Sequence, residues 1–159
     1  GMNCPNERYV NDGEICQAVA ANLARIGVKV NLQAESKATY FPKILRRDTS
    51  FYLLGWTPGT YDAHNALSNL MATPTDKGQG TFNLGSYSNA KIDELTQKIQ
   101  SETDQPKRNE MIREAFRIHQ DDIGHIPLHQ QALAWGFNKK VSLVQLPTNF
   151  MPFKYISVK

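Results

Sequence analysis

The residues best suited to holding a ligand lie together in one stretch, residues 50–65, with the sequence SFYLLGWTPGTYDAHN. Its apolar run, residues 51–54, predicts a buried strand that ends in a turn-forming loop. In open α/β sheets, ligands bind just beyond the carboxyl ends of the strands. We therefore expect a binding cleft here, lined by Trp56, Thr57, Gly59, Tyr61 and Asp62. The alternative is a tryptophan that packs on a turn and contacts no ligand.

The remaining reactive side chains do not form a pattern typical of catalysis. His125 and His129 have the spacing of a helical metal pair, but Pro127 between them favours a strand. Four strand steps would place the two rings about 13 Å apart. No GxSxG, GxGxxG or phosphate-binding loop motif occurs. We expect no enzyme, no metal site and no cofactor, and we expect His119 to lie at the surface or in an interface.

Length and composition set the class of protein. The chain has 159 residues, with 21% charged and 40% hydrophobic side chains, which is typical of one globular domain. The net charge of +3 is small and its lysines and arginines are scattered, so nucleic acid is not an expected partner. No apolar run approaches the roughly 18 residues of a membrane-spanning helix. A glycine before Met2 suggests a piece cut from a longer protein.

The elements that must position the cleft begin with a helix and a strand. Asn11, followed three residues later by Glu14, is typical of a capping box, and Gly27 is typical of a helix C-terminus. The apolar stripe between them consists of Ile15, Val19, Leu23 and Ile26. Residues 28–32 alternate apolar and polar, which predicts a half-buried strand.

A second helix and strand follow. Residues 39–47 predict a helix with Pro42 in its first turn, and residues 51–56 predict the strand that carries the cleft loop. The natural topology is a parallel arrangement of residues 28–32 and 51–56, with the second helix as the crossover.

The second half of the chain is expected to be helical at first and then extended. Asp62 is a candidate cap for a short helix over residues 62–71, and Asn89 caps a longer one with Ile92, Leu95 and Ile99 in line. A loop covers residues 73–88, and a helix over residues 105–121 packs against the Asn89 helix as an antiparallel hairpin. Residues 126–137 and 141–146 predict extended segments, followed by an apolar tail.

The two cysteines, Cys4 and Cys16, leave two alternatives open. A disulfide between them would join the start of the chain to the first helix, and the other possibility is two free thiols. Closing so short a loop would stabilise the fold by roughly 2–3 kcal/mol in the chain-entropy account.

Four segments in order carry a resemblance to a known family: RYVNDGEICQAVAANLARIGVKVNL, YFPKILRRDTSFYLLGWTPGTYDAHN, FNLGSYSNAKIDEL and IPLHQQALAWGFNKKV. Together they resemble the C-terminal lobe of the peptide-type (family-5) extracellular solute-binding proteins of ABC importers. The resemblance implies an α/β fold, part of a periplasmic-binding-protein lobe with a mixed sheet flanked by helices. Residues 1–146 would form part of that lobe, and residues 147–159 would return to the other lobe.

The resemblance also implies a function. A periplasmic receptor of this kind traps a small solute or peptide between two lobes that close by hinge motion, and delivers it to a membrane permease. The resemblance also implies that this chain lacks the other lobe and the beginning of its own lobe, including a strand expected to precede Cys4. Export to an oxidising compartment favours the disulfide between Cys4 and Cys16.

One position departs from the family pattern. Dipeptide and oligopeptide receptors place an aspartate in the loop after the Gly-Trp strand end, where it binds the ammonium of the ligand. That position is Gly59 here, and Asp62 falls on a second acidic position of the loop. A buried ammonium without a partner costs several kcal/mol, so a free-amine dipeptide is a doubtful ligand. Trp56 and Tyr61 could instead stack on a ring.

Two other functions stay open at this stage. One is a free-standing α/β interaction domain whose apolar tail binds a partner, and the other is a hydrolase with an unrecognised site. An exposed sheet edge and the apolar tail also predict self-association of the chain.

Overall fold

Three parallel extended segments organise the first third of the chain in a computed structural model that describes residues 1–159. Strands β1 (Met2–Pro5) and β2 (Leu32–Glu35) pair in parallel, with Cys4 opposite Ala34. On its other side, β1 forms a single parallel bridge between Asn3 and Tyr52. The predicted strand over residues 51–56 is therefore a short bridged segment. This segment runs parallel to β2 with α2 as the crossover, as predicted, and β1 lies between the two.

Strand β1 is the element that the sequence analysis missed. All four of its residues are buried, as expected for the central strand of a small sheet. Its sequence, MNCP, contains an asparagine and a proline and lacks strand periodicity. The sequence analysis expected the chain to lack a strand at this point, whereas β1 begins at Met2 and contains Cys4.

Helix α1 (Asp12–Arg25) connects β1 to β2. The predicted capping box is wrong, since Asn11 has a left-handed backbone (φ 55°) and its side chain caps nothing. The buried carboxylate of Asp12 instead accepts from the N–H groups of Arg8 at 2.9 Å and Tyr9 at 3.0 Å. Gly27 ends the helical region with φ 83°, as predicted.

The apolar stripe of α1 is shorter than predicted. Ile26 is 75% exposed. Strand β2 also begins at Leu32 rather than at Val28. Val19 and Val30 both pack on the core cluster of Met2 and the cysteines, and Ile26 lies outside it.

A disulfide joins Cys4 to Cys16, and both residues are fully buried. The bond links the central strand to the first turns of α1, where side chains of Val19, Leu32 and Phe51 pack around it. The sheet and its first crossover helix are thus covalently connected beneath the edge from which the candidate loop emerges.

Helix α2 (Lys37–Leu45) covers a second part of the core, formed by Tyr40, Ile44 and Leu84. The hydroxyl of Tyr40 donates a 2.5 Å hydrogen bond to the carbonyl of Leu53, which fixes the segment leading to the loop. Pro42 lies in the middle of α2 rather than in its first turn.

The helical part begins with α3 (Ala63–Ala66), which continues as a π-helical turn over Leu67–Met71. Helices α4 (Ala90–Ser101) and α5 (Gln105–Asp121) pack together, as predicted. Asn89 caps α4 by accepting from Lys91 N–H and Ile92 N–H. The shared core contains Leu67, Leu95, Ile99 and Ala115.

The C-terminal region is less regular than predicted. Residues 126–137 form no strand, and the only paired residues are β3 (Val141–Ser142) and β4 (Ser157–Val158), which are antiparallel. The tail over residues 147–159 exposes large apolar side chains, including Phe150 at 65% and Phe153 at 79%. A membrane-spanning helix would need a longer apolar run than any helix of this structure contains.

Candidate functional site

The candidate loop leaves the sheet at the same edge as two other chain segments. Because β1, β2 and the Tyr52 segment are parallel, their carboxyl ends lie at one edge. Residues 6–11 follow β1, Ser36 follows β2, and residues 55–62 follow the Tyr52 segment. We call this set of loops the carboxyl edge. It is the position at which α/β sheets hold their ligands.

Gly55 begins the loop in direct contact with Tyr9, which follows β1. A side-chain carbon at position 55 would lie 2.7 Å from Cε1 of Tyr9, so only glycine allows the ring this close. The Tyr9 hydroxyl donates to the Gly55 carbonyl at 3.4 Å, and the Arg8 guanidinium lies 4.9 Å from the centre of the Tyr9 ring. This contact joins two loops of the carboxyl edge.

Trp56 is held in one orientation from two sides. Its indole N–H donates to Oδ1 of Asn65 at 2.9 Å, and its ring lies 5.0 Å from that of Phe82. The side chain remains partly exposed. An aromatic ring whose polar atom is already bonded and whose surface is partly open is suited to stacking on a flat ligand group.

The next residues of the loop differ in their surroundings. Thr57 and Gly59 are exposed, and a side-chain carbon at Gly59 would contact nothing. Tyr61 has a left-handed backbone with φ 57°, and its hydroxyl donates to the carbonyl of Pro147 in the tail. Its ring is 55% exposed.

Asp62 is bonded to two groups of the chain. Its Oδ1 atom accepts from His64 N–H, which caps α3 as predicted, and from Nη2 of Arg108, each at 2.8 Å. The hydrogen bond from Arg108 and the bond from the His64 backbone hold the pKa of this carboxyl below its usual range. An ionised, paired carboxylate is poorly placed to bind a ligand ammonium as well.

Asp62 and Arg108 line a polar pocket of about 330 Å³. Its walls contain no hydrophobic residue and consist of Thr60, Asp62, His64, Asn65, Ser68, Gln100 and Arg108. Of the five predicted site residues, only Asp62 lies in this pocket. Sequence reasoning missed Asn65 and Arg108; Asn65 is in the quoted stretch, whereas nothing in the sequence connects Arg108 to it.

His119 is buried in α5 at 5% exposure, so the predicted surface position is wrong. Its Nε2 atom lies 2.8 Å from Nδ1 of His125, and the two rings stack 4.9 Å apart. Burial lowers the pKa of both imidazoles, and that of His119 falls to about 4. No group of three or more histidines, cysteines or carboxylates is arranged to hold a metal ion.

Comparison with known proteins connects this arrangement to a family. The sequence profile described as "Bacterial extracellular solute-binding proteins, family 5 Middle" matches residues 2–78. Di/tripeptide-binding protein 3 of Pseudomonas aeruginosa is 24% identical over 80% of this chain and 23% of its own length. Heme-binding protein A of Haemophilus influenzae is 24% identical over 93% of this chain and 27% of its own length.

A solved structure shows the same fold. The pheromone receptor PrgZ, whose structure describes a mode of peptide binding, superposes with a TM-score of 0.81 at 19% identity. The match covers 99% of this chain and 29% of that one. The chain spans about a quarter of the length of the curated relatives.

The fold is therefore that of part of a periplasmic-binding-protein lobe. Residues 2–78 match the sequence profile of the family-5 extracellular solute-binding proteins, and most of the chain is similar to a portion of the curated relatives. These relatives are binding proteins rather than enzymes.

Proposed function

We propose that this chain forms part of the substrate-binding component of an ABC importer, which traps a small solute or peptide between two lobes. The observation that carries the proposal is the carboxyl edge, where Trp56 is held by Asn65 and Phe82 with part of its surface open. Family membership of residues 2–78 supports it, because the matching profile covers the sheet and this edge.

The proposal assigns a different role to each of two parts of the chain. Residues 1–146 form part of the ligand-binding lobe, and residues 147–159 pack on the other lobe. The exposed apolar side chains of the tail, including Phe150, Phe153 and Val158, support this assignment, because a tail this apolar requires a covering surface. Trp56, Thr57, Gly59, Tyr61 and Asp62 face the ligand cleft, with Asp62 acting through its pairing to Arg108.

The receptor works outside the cytoplasm, in the periplasm, and passes its ligand to a membrane permease. The disulfide between Cys4 and Cys16 supports this location, since disulfides persist in oxidising compartments. The ligands named for two relatives, di- or tripeptides and heme, differ widely. Membership of the family therefore leaves the ligand class open.

The test is a thermal-shift screen of the full-length receptor against di- to oligopeptides, sugars, heme and metal chelates. A ligand that binds only the folded state raises its stability, by about 2.7 kcal/mol at one hundred times its Kd. We expect one class to raise the Tm by several degrees, and Trp56→Ala to remove that shift. Failure of every class to shift the Tm would contradict the binding function and favour an interaction domain.

A further inference from the structure

We propose that the edge of the sheet opposite to the ligand loop binds the anionic headgroups of a phospholipid membrane. Two loops form this edge: residues 25–31, from the end of α1 to β2, and residues 45–50, from the end of α2 to the Tyr52 segment. We call these two loops the amino edge. The proposal goes beyond the solute-binding function, because it concerns a surface that takes no part in the ligand cleft.

The parallel topology brings the two loops together. Helices α1 and α2 both begin near the carboxyl edge and run back along the sheet, so both end at the amino ends of the strands. The N–H of Met2 donates to the carbonyl of Asn31, and the N–H of Asn3 donates to the carbonyl of Phe51, each at 2.8 Å. The loops therefore flank the start of β1, about two strand spacings or 10 Å apart. A single flat partner can contact both.

The amino edge carries an excess of positive charge. Its charged side chains are four cations and one carboxylate, all of them exposed: Arg25, Lys29, Arg46, Arg47 and Asp48. None of the cations forms an ion pair within the chain, and Arg47 donates only to the uncharged hydroxyl of Ser86, at 3.0 Å. The net charge of the edge, +3, equals the formal net charge of the whole chain. The remaining residues are balanced, so an anionic surface attracts this edge most strongly.

Exposed aliphatic side chains lie beside these cations. Ile26 is 75% exposed, Val28 is 46% exposed and Leu45 is 51% exposed. Each of them is adjacent in sequence to a cation of the edge. Aliphatic side chains in this position can enter the boundary between headgroups and acyl chains, while the cations bind lipid phosphates. An acidic protein would satisfy the charges and leave the aliphatic side chains in water, so the combination favours a membrane.

The carboxyl edge has the opposite charge. Its loops contain Glu7, Arg8 and Asp62 as their charged side chains, which gives a net charge of −1. Because the two edges lie at opposite ends of the strands, an anionic surface orients the lobe with its amino edge inward. The ligand loop then stays accessible to solute while the receptor is bound to the membrane.

The experiment measures sedimentation of the full-length receptor with phosphatidylcholine vesicles that either contain or lack phosphatidylglycerol. We expect binding only to vesicles with the anionic lipid, and weaker binding as the salt concentration rises. Lys29→Gln with Arg46→Gln should weaken binding by about 25-fold, because each basic residue near an anionic surface contributes about 1 kcal/mol, or about fivefold. Ile26→Ser with Leu45→Ser should also weaken binding, although the charge is unchanged.

A matched control separates the amino edge from the net charge of the protein. Arg113→Gln with Arg117→Gln removes two cations from exposed positions of α5, so the net charge falls by the same amount. We expect this variant to bind the anionic vesicles as wild type does. All the substituted side chains are exposed, so circular dichroism and solute affinity should be unchanged in each variant.

Three results would overturn the proposal. The first is equal binding, or no binding, to the neutral and anionic vesicles. The second is an equal loss of binding in the Lys29/Arg46 and Arg113/Arg117 variants, which would assign the effect to net charge alone. The third is binding to soluble polyglutamate without binding to vesicles, which would indicate an acidic protein as the partner. Each result leaves the solute-binding function standing, because thermal shift tests that function separately.

Discussion

Arg108 donates a 2.8 Å hydrogen bond to the carboxylate of Asp62, which lies 46 residues earlier in the chain. The Nε atom of the same guanidinium donates to the carbonyl of Ile99 at 3.1 Å, in the last turns of α4. One arginine of α5 thus connects the end of the ligand loop to the helical hairpin. The position of the loop depends on a contact that joins distant parts of the sequence.

Removing this arginine should loosen the loop. We expect Arg108→Ala to lower the free energy of unfolding by about 1–2 kcal/mol, because the paired Asp62 carboxylate is left without its partner. Urea denaturation measures the change. Arg113→Ala is the matched control on the exposed face of α5, and it should change stability by less than about 0.5 kcal/mol. Equal effects of the two substitutions would contradict the connecting role of Arg108.

Two substitutions of Asp62 should lower the stability of the fold by different amounts. Asp62→Asn keeps an oxygen that can accept from His64 N–H but loses the ion pair, whereas Asp62→Ala loses both contacts. We therefore expect the alanine variant to be the less stable, by about 1 kcal/mol for the lost cap. Thermal unfolding at neutral pH measures the difference. Because the pKa of Asp62 is held low, the gap between wild type and Asp62→Asn should shrink as the pH falls through the acid range.

Two glycines of the loop make a matched pair. Gly55→Ala would place a carbon 2.7 Å from the Tyr9 ring, which must then move together with Arg8. We expect a loss of about 1–3 kcal/mol in stability, as for other overpacked sites, and weaker ligand binding. Gly59→Ala meets no atom and should be close to neutral in stability. Calorimetry and denaturation of both variants check this, and a neutral Gly55→Ala would show that the Tyr9 contact is easily displaced.

The buried histidine pair predicts a pH effect on stability. His119 has a pKa of about 4 in the folded chain and an ordinary value near 6.5 when unfolded. The unfolded state therefore binds more protons between these values, so stability should fall as the pH drops from about 6.5 to 4. The expected loss from His119 is on the order of 2–3 kcal/mol, with His125 adding in the same direction.

A variant isolates this effect from the titration of carboxylates. In His119→Gln, urea midpoints measured across the same pH range should fall less steeply than in wild type. Parallel curves would show that the imidazole of His119 is not responsible. Asp122, whose charge acts on His119, accepts a hydrogen bond from the neutral hydroxyl of Tyr87, and both groups remain present in both proteins.

The disulfide predicts a loss of stability on reduction. Replacing both Cys4 and Cys16 by alanine should lower the free energy of unfolding by roughly 2–3 kcal/mol, because the loop between them, with a sequence separation of 12, is no longer closed in the unfolded chain. Mass spectrometry of a non-reduced digest should show the linked peptides. Free thiols in protein isolated from an oxidising compartment would contradict the bond.

The exposed tail predicts self-association of the isolated 159-residue chain. Phe150 and Phe153 are both largely exposed, and apolar surface of this kind favours burial against a second copy. Light scattering at high concentration should show a dimer or larger species, and Phe150→Ser with Phe153→Ser should reduce it. A monomer at every concentration would contradict this prediction.

Local signals in the sequence determined most of the helices and the position of the loop that carries Trp56. Asn89 and Asp62 cap the helices they were expected to cap, and Gly27 ends α1, because caps and left-handed turns depend on a few neighbouring residues. The loop that carries Trp56 was recognisable for the same reason: an apolar run followed by Gly, Pro and Gly breaks the strand wherever it lies.

Only the tertiary structure decided how those parts meet. The central position of β1 depends on pairing with two segments that are distant in sequence, and its four residues show no strand pattern of their own. The contacts of Tyr9 with Gly55 and of Arg108 with Asp62 are likewise long-range, as is the burial of His119 against His125. Whether Asp62 is free to bind a ligand depends on its pairing with Arg108, since a charge is available only where packing leaves it unpaired.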